Sequence, residues 1–116
     1  MKAFVIAVLG AAVLCGSSLL AQDAKLVSEG KKLYGSKECG KCHIIAGKGN
    51  KIGPLDGVGT KLNEADIRKW FTEPVEMEKA LTKRPKVKMS SKAKQMNLKA
   101  AEIDALTAYM LTLTKK

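Results

Sequence analysis

Histidine, cysteine and aromatic residues are scarce in this sequence of 116 residues, which has one His, three Cys, one Trp, two Tyr and two Phe. Only two of the cysteines and the histidine lie beyond residue 21. A structural zinc site takes four protein ligands, so these three residues could complete one only with carboxylates. No run of Val, Ile and aromatic residues is present that would form the strands of a sheet. A chain this small buries only a modest fraction of its surface, and the lack of aromatic side chains leaves it short of core volume.

Acidic residues are outnumbered by basic ones, with 11 Asp and Glu against 21 Lys and Arg and a net charge of +10. A positive field of this size favours acidic partners or surfaces. Nucleic acid is a common partner of such proteins, and the basic run at residues 83–88 resembles a nuclear localisation signal. The N-terminal segment indicates an exported protein, however, so we expect no nucleic-acid partner and a solvated lysine surface.

The first 21 residues have the pattern of an export signal. Lys2 gives a single positive charge, residues 3–21 carry none, and the first acidic residue is Asp23. A short positive start, an apolar run and small residues at its end are typical of a secretory signal. We therefore expect cleavage after Ala21, a single mature domain over residues 22–116, and a periplasmic location.

Two other interpretations of this segment stay open, because Leu19 lies where a cleavage site prefers a small residue. The apolar run is long enough for an uncleaved membrane anchor, since a membrane span needs about 20 residues. Cys15 is a candidate for lipid modification, although Leu14 before it is bulky. An anchor would tether the protein to the membrane or place it in a membrane-associated complex.

The most specific pattern in the chain is Cys39-Gly40-Lys41-Cys42-His43. Two cysteines three positions apart, with a histidine directly after the second, are typical of covalent haem attachment. Each thiol forms a thioether with one haem vinyl group, and the next residue offers its imidazole nitrogen to the iron. Bacteria attach haem in this way outside the cytoplasmic membrane, so the signal and the motif support each other. We expect one haem c, which would also contribute much of the missing core.

Other uses of the paired cysteines fit the sequence less well. A thioredoxin-like redox pair lies at a strand-to-helix junction in a βαβ unit, and no strand pattern is present to build one. A disulfide between Cys39 and Cys42 would close too small a loop to constrain the fold much. Zinc would again need carboxylate ligands.

Apolar periodicity predicts an all-α domain. Asn63 is a good N-cap for a helix. Gly30 lies inside another helix, where it costs about 1 kcal/mol relative to alanine, so we expect another helix to approach closely there. The expected helices cover residues 23–34, 62–72, 74–81 and 99–114, and the expected irregular segments cover residues 44–60 and 82–97.

The chain resembles the class I c-type cytochromes, in their small bacterial monohaem form, over almost all of residues 22–116. The likeness rests on the Cys-x-x-Cys-His motif, the helix before it, the Gly-Pro pair at 53–54, a loop that carries methionine, and an amphipathic last helix. The resemblance implies a small cytochrome c fold with one covalent haem in its core. It also implies that the N- and C-terminal helices cross, with Gly30 packed against Leu106 and Tyr109.

The iron ligands follow partly from the residues and partly from the resemblance. His43 is the expected fifth ligand because it is the only histidine, which also excludes a two-histidine haem. The resemblance implies methionine as the sixth ligand. Met89 is the expected one, since it follows a basic segment with a proline as in the family, and Met96 is the alternative. Met77 and Met110 lie in predicted helices and are expected to pack in the core.

Two further residues gain roles from the resemblance. The carbonyl of Pro54 would accept a hydrogen bond from the outer nitrogen of His43, unless the Gly-Pro pair is only a turn. Trp70 would lie against the haem and offer its indole N–H to a propionate, or simply fill volume. Ser90 stands where the family often has proline, which leaves the choice between the two methionines open.

The resemblance implies an electron-transfer protein rather than an enzyme. We expect a monomeric periplasmic carrier of the respiratory chain, with a haem bound by His and Met, that docks on redox partners with acidic surfaces. One alternative is a haem c subunit held in a membrane or periplasmic dehydrogenase or oxidase complex. Another is a ligand-binding or peroxidatic haem with an open sixth position.

Overall fold

The computed structural model describes residues 15–115, and its account of side chains covers residues 23–115. Within that range the chain forms six α-helices, one short 3₁₀ turn and three very short strands, so the prediction of an all-α fold is confirmed. In chain order these are α1 (Cys15–Ser36), the 3₁₀ turn (Cys39–Lys41), β1 (His43–Ile45), β2 (Lys48–Gly49), β3 (Gly53–Pro54), α2 (Val58–Lys61), α3 (Glu64–Thr72), α4 (Pro74–Lys79), α5 (Met89–Met96) and α6 (Ala100–Leu111).

The first and last helices pack directly on each other at Gly30, as predicted. Gly30 is buried, and a Cβ atom there would overlap the carbonyl oxygen of Ala105 and lie 2.7 Å from the Cβ of Tyr109. One turn further along, the rings of Tyr34 and Tyr109 meet edge to face with their centroids 5.9 Å apart, a favourable aromatic geometry. The glycine therefore offsets its poor helix propensity by letting the two helix backbones come together.

Local sequence signals account for the start of α3 and contribute to that of α6. Asn63 caps α3, because its Oδ1 accepts a hydrogen bond from the Asp66 amide at 2.8 Å. At α6 the Glu102 carboxylate accepts from the Lys99 amide at 3.0 Å, which satisfies one N-terminal donor although Lys99 itself has no side-chain oxygen to cap with. Pro74 begins α4, a position where its missing N–H costs nothing.

The prediction of an irregular segment over residues 82–97 was wrong in its second half, where α5 forms. The residue before the helix, Lys88, provides no side-chain cap. The cap comes instead from α4, since the Glu78 carboxylate accepts hydrogen bonds from both the amide and the hydroxyl of Ser90. Asn97 ends the helix in the left-handed conformation, with φ of 46°. A tertiary contact, which local periodicity does not report, therefore supports the start of this helix.

The segment over residues 44–60 is also less irregular than predicted. Its strands form a small sheet in the order β2-β1-β3, with β2 antiparallel and β3 parallel to β1. Ala46 and Gly47 make the two-residue turn with φ of 51° and 80°, as a tight hairpin requires. The Asp56 carboxylate accepts from the Ala46 amide at 2.9 Å and supports the strained alanine.

The predicted export signal lies largely outside the part of the chain that the structure describes. From Cys15 onward its last residues are continuous with α1. Among the helices over residues 15–115, none is long and apolar enough to cross a membrane. Cleavage after Ala21, the membrane anchor and the lipid-modified cysteine all stay predictions.

Candidate haem site

A tight turn places the two cysteines of the motif. Glu38 adopts the left-handed conformation with φ of 58°, and the 3₁₀ turn that follows is closed by a hydrogen bond from the Cys42 amide to the Cys39 carbonyl at 3.1 Å. Both thiols are free and half-buried. Burial raises the pKa of the Cys39 thiol, whereas the attacking thiol of a redox pair has a lowered pKa. The environment of Cys39 therefore does not favour the redox-pair interpretation.

His43 is fixed in orientation by a backbone carbonyl. Its Nδ1 lies 2.9 Å from the carbonyl oxygen of Gly53, and because a carbonyl only accepts, Nδ1 carries the proton in this contact. Nε2 is then the nitrogen left to bind a metal. The neighbouring main chain is also tied to α1, since the Tyr34 hydroxyl lies 3.4 Å from the His43 carbonyl oxygen. Burial raises the pKa of Tyr34 and keeps it a neutral donor.

The predicted acceptor for His43 was therefore one residue off. The carbonyl belongs to Gly53 rather than Pro54, because β3 pairs with β1 in the register that places Gly53 beside His43. A Cβ on Gly53 would lie 2.5 Å from Nδ1, so the absence of a side chain permits the close approach. Pro54 itself lies next to this contact and lines the neighbouring cavity.

The structure brings the sequence-predicted site residues together around one cavity of about 550 Å³. That volume is within the ~300–1,000 Å³ typical of cofactor and ligand sites. The predicted site residues on its wall are Cys39, Cys42, His43, Pro54, Trp70, Met89 and Met96, and much of the remaining wall is apolar, including Leu55, Val58, Leu62, Ile67, Phe71, Leu106 and Met110.

Three of the four large apolar side chains exposed within residues 23–115 also line this cavity, and Val75 on α4 is the exception. Ile52, Leu81 and Val87 are 57%, 40% and 42% exposed and all three line it. A large apolar group in the cavity would cover them and replace the core volume that the few aromatic residues do not provide. Together with two thiols and a histidine whose Nε2 is available, the cavity fits a covalently attached haem.

Comparison with known families agrees with this geometry. The sequence model of the family described as Cytochrome c matches residues 27–114. The chain belongs to the cytochrome c family. Searches of curated proteins and of solved structures found no match. The cofactor of this cytochrome c is therefore one covalently attached haem c with its iron, and its general role is haem-based electron transfer.

Both candidate sixth ligands of the cytochrome lie on the same helix. Met89 is the first residue of α5 and Met96 is the last. Seven residues make about two turns, or about 10 Å along the axis, so the two side chains share one helix face. Both line the cavity, as does the buried Met110, whereas Met77 on α4 does not. The preference for Met89 over Met96 stays a prediction.

Trp70 of the cytochrome lies on α3, one turn after the buried Ile67, and lines the cavity half-buried. Its position is compatible with both predicted roles, contact with a haem propionate and plain packing, and both stay predictions. Tyr34 also lines the cavity. No role at the site was predicted for Tyr34. Its position in the chain, one helical turn after Gly30 and five residues before Cys39, was the signal from which its place beside the site could have been inferred.

The lysines near the cavity are not equivalent. Lys37 lies 3.6 Å from the Glu102 carboxylate, and Lys41 pairs with Glu38 at 2.7 Å on the exposed surface. The hydrogen bond from Lys41 lowers the pKa of Glu38. Part of the positive charge on these two lysines is thus offset by neighbouring carboxylates. Lys88, which is exposed beside Met89, lines the cavity as well.

Proposed function

We propose that this cytochrome c is a periplasmic carrier of single electrons whose haem is attached to Cys39 and Cys42 and bound axially by His43 and Met89. The observation that carries the proposal is that the histidine, held by its Nδ1 contact to Gly53, shares one largely apolar cavity with Met89. The haem supplies an iron that alternates between the ferrous and ferric states.

The residues around the cavity favour electron transfer over catalysis on a bound substrate. If His43 and Met89 both held the haem iron, the protein itself would supply both ligands and leave no position for a substrate on the metal. A methionine ligand raises the reduction potential. The Gly53 carbonyl lowers the reduction potential, because the hydrogen bond that it accepts from Nδ1–H increases the basicity of His43. The apolar wall excludes water from the site and limits the change in solvation when the charge of the iron changes.

The surface charge supports transient docking on acidic redox proteins. Lys48, Lys86 and Lys88 are exposed, and the net charge of the chain is +10. Charge of one sign steers a partner of the opposite sign and makes the encounter sensitive to salt. We expect the protein to act as a monomer. Copurification in a stable complex would instead favour a subunit of a dehydrogenase or oxidase.

The axial ligand is tested by replacing three methionines separately with leucine, which keeps the size and removes the sulfur. Ferric M89L is expected to lose the far-red absorption band of Met–iron coordination, whereas M96L keeps it. M77L is the control, because Met77 does not line the cavity. Loss of the band only in M96L would identify the alternative ligand. Absence of the band in the unmodified protein at neutral pH would favour an open sixth position.

The proposed location and docking mode need two further measurements. Mass spectrometry of the intact protein gives the true N-terminus and the added mass of haem at once. A mass that matches a chain starting after Ala21 supports export with cleavage, whereas a mass that matches a chain starting at Met1 supports the uncleaved anchor. The rate of electron transfer to an acidic partner is expected to fall as salt rises. A rate that does not depend on salt would refute electrostatic steering.

A further inference from the structure

The helix that carries Met89 is held at its start by a side chain from another helix. Glu78 lies in the last turn of α4, and its carboxylate makes two hydrogen bonds to the residue that follows Met89. One oxygen accepts from the Ser90 amide at 2.7 Å, and the other accepts from the Ser90 hydroxyl at 3.0 Å. Both contacts are partly buried. One carboxylate thus fixes the backbone and the side chain of Ser90 together.

The segment around Met89 provides no comparable support of its own. Residues 81–84 and 86–88, which lead into α5, are exposed. Lys88 makes no side-chain cap, and the first turn of α5 contains no acidic residue. A carboxylate near a helix N-terminus takes an unpaired amide and interacts favourably with the helix dipole. Glu78 supplies both effects from outside the helix.

The far end of α5 is held by a charge of the opposite sign. The Lys37 ammonium, two residues before Cys39, lies 3.4 Å from the Met96 carbonyl oxygen and 3.6 Å from the Glu102 carboxylate. A cation at the C-terminal end of a helix is the favourable arrangement. This contact is longer than the two at Ser90, so the Glu78 contact is the tighter of the two restraints on α5.

We propose that Glu78 is a positioning residue for the sixth ligand: by binding Ser90 it holds the start of α5 in the conformation that keeps Met89 in the haem cavity. The inference rests on the proposed function, in which Met89 is that ligand. Glu78 does not line the cavity, and so it acts through the backbone next to Met89 rather than on the haem. Its loss shifts the equilibrium from the Met-bound form towards an open sixth position.

The size of the shift follows from the kind of contact. Hydrogen bonds to a charged group are worth more than neutral ones, and their loss changes an equilibrium constant by about tenfold or more. A competing ligand such as imidazole binds only the form without methionine, so its apparent affinity is reduced by the fraction of protein in that form. Weakening the Met-bound form by about tenfold therefore tightens imidazole binding by about tenfold.

The test is an imidazole titration of the ferric holoprotein, followed by the haem spectrum, for the unmodified protein and its variants. E78A is expected to bind imidazole about tenfold more tightly. E78Q, which keeps the shape and one acceptor, is expected to show a smaller change. E76Q is the matched control, because Glu76 is on the same helix and makes only an exposed ion pair with Lys79. It is expected to bind imidazole as the unmodified protein does.

Denaturant unfolding of each variant separates positioning from general stability. If E78A unfolds more easily but binds imidazole with unchanged affinity, Glu78 only stabilises the fold and the proposal is overturned. An equal increase in imidazole affinity for E76Q would also overturn it, since the effect would then come from charge alone. S90A provides a second variant should E78A not fold. S90A keeps the hydrogen bond from the residue 90 amide to Glu78 and loses the one from the hydroxyl. If S90A binds imidazole with the same affinity as the unmodified protein, the proposal is contradicted.

The M89L variant distinguishes failure of this inference from failure of the proposed function. If M89L keeps the far-red band, Met89 is not the ligand, and both proposals fail. If M89L loses the band while E78A and S90A bind imidazole as the unmodified protein does, the axial ligand is correct and the role of Glu78 alone is refuted.

Discussion

Replacing Gly30 by alanine tests how much the fold depends on the contact between α1 and α6. A Cβ at this position would overlap the Ala105 carbonyl oxygen and lie 2.7 Å from the carbonyl carbon of Ala105 and from the Tyr109 Cβ. The atoms of Ala105 are main-chain atoms of α6, so they cannot rotate aside as a flexible side chain would. The two helices would have to separate along their whole contact.

The expected loss of stability is about 2 kcal/mol. Overpacking a core position costs about 1–3 kcal/mol of stability. Because the neighbours of Gly30 are rigid main-chain atoms, we expect the cost of G30A to lie at the upper end of that range. The better helix propensity of alanine offsets about 1 kcal/mol of it. With a guanidinium m-value of about 4 kcal/mol/M, the unfolding midpoint would fall by about 0.5 M. Guanidinium unfolding of the holoprotein, followed by far-UV circular dichroism, measures this shift.

Gly35 offers a matched control on the same helix. A Cβ there would meet nothing within 4 Å, and Gly35 lies within α1 as Gly30 does. G35A is therefore expected to be neutral or slightly stabilising, by up to about 1 kcal/mol. If G30A and G35A unfold at the same guanidinium concentration, the helices do not depend on the missing side chain, and the account of this contact is wrong.

Two further predictions concern the histidine and the start of α6. G53A would place a Cβ 2.5 Å from the His43 Nδ1 and break its hydrogen bond. The histidine would then be a less basic ligand, so the reduction potential measured by redox titration should rise. G40A is the control, because a Cβ at Gly40 would meet nothing within 4 Å, and equal reduction potentials for G53A and G40A would contradict this prediction. The hydrogen bond from the Lys99 amide lowers the pKa of Glu102, so this contact stabilises the fold above the ordinary carboxyl pKa of about 4.3 and is lost as the pH falls through the lowered value. E102Q should therefore lose less stability in acid unfolding than the unmodified protein, and identical acid profiles would contradict this assignment.

The parts of the fold that could be predicted from the sequence are those whose cause is local. The N-cap at Asn63, the helix start at Pro74 and the need for a neighbour at Gly30 each depend on a residue type and its immediate surroundings. The chemistry of the Cys-x-x-Cys-His motif is local as well. The cap at Asn63, the helix start at Pro74 and the close neighbour of Gly30 appear in the structure as predicted. The attachment of haem to Cys39 and Cys42 stays a prediction.

The missed features depend on contacts between residues that are distant in sequence. Helix α5 obtains its cap from Glu78, twelve residues before Ser90, and apolar periodicity carries no information about such a partner. The acceptor for His43 depends on the register of a strand of two residues, which is too short to leave a pattern. The choice of Gly53 over Pro54 therefore required the three-dimensional pairing.

The contact between the first and last helices also sets the order in which this domain can be completed. Gly30 lies on the first helix, but its packing partners Ala105 and Tyr109 lie on α6, the last helix. Beyond α6, the Leu113 carbonyl and the Lys115 amide bond to Gly59 and Thr60, and so close the other side of the domain. The cavity wall therefore stays incomplete until α6, which contributes Leu106 and Met110 to it, has packed in place. We therefore expect Cys39 and Cys42, which line the same cavity, to be easier for haem to reach before α6 packs than afterwards.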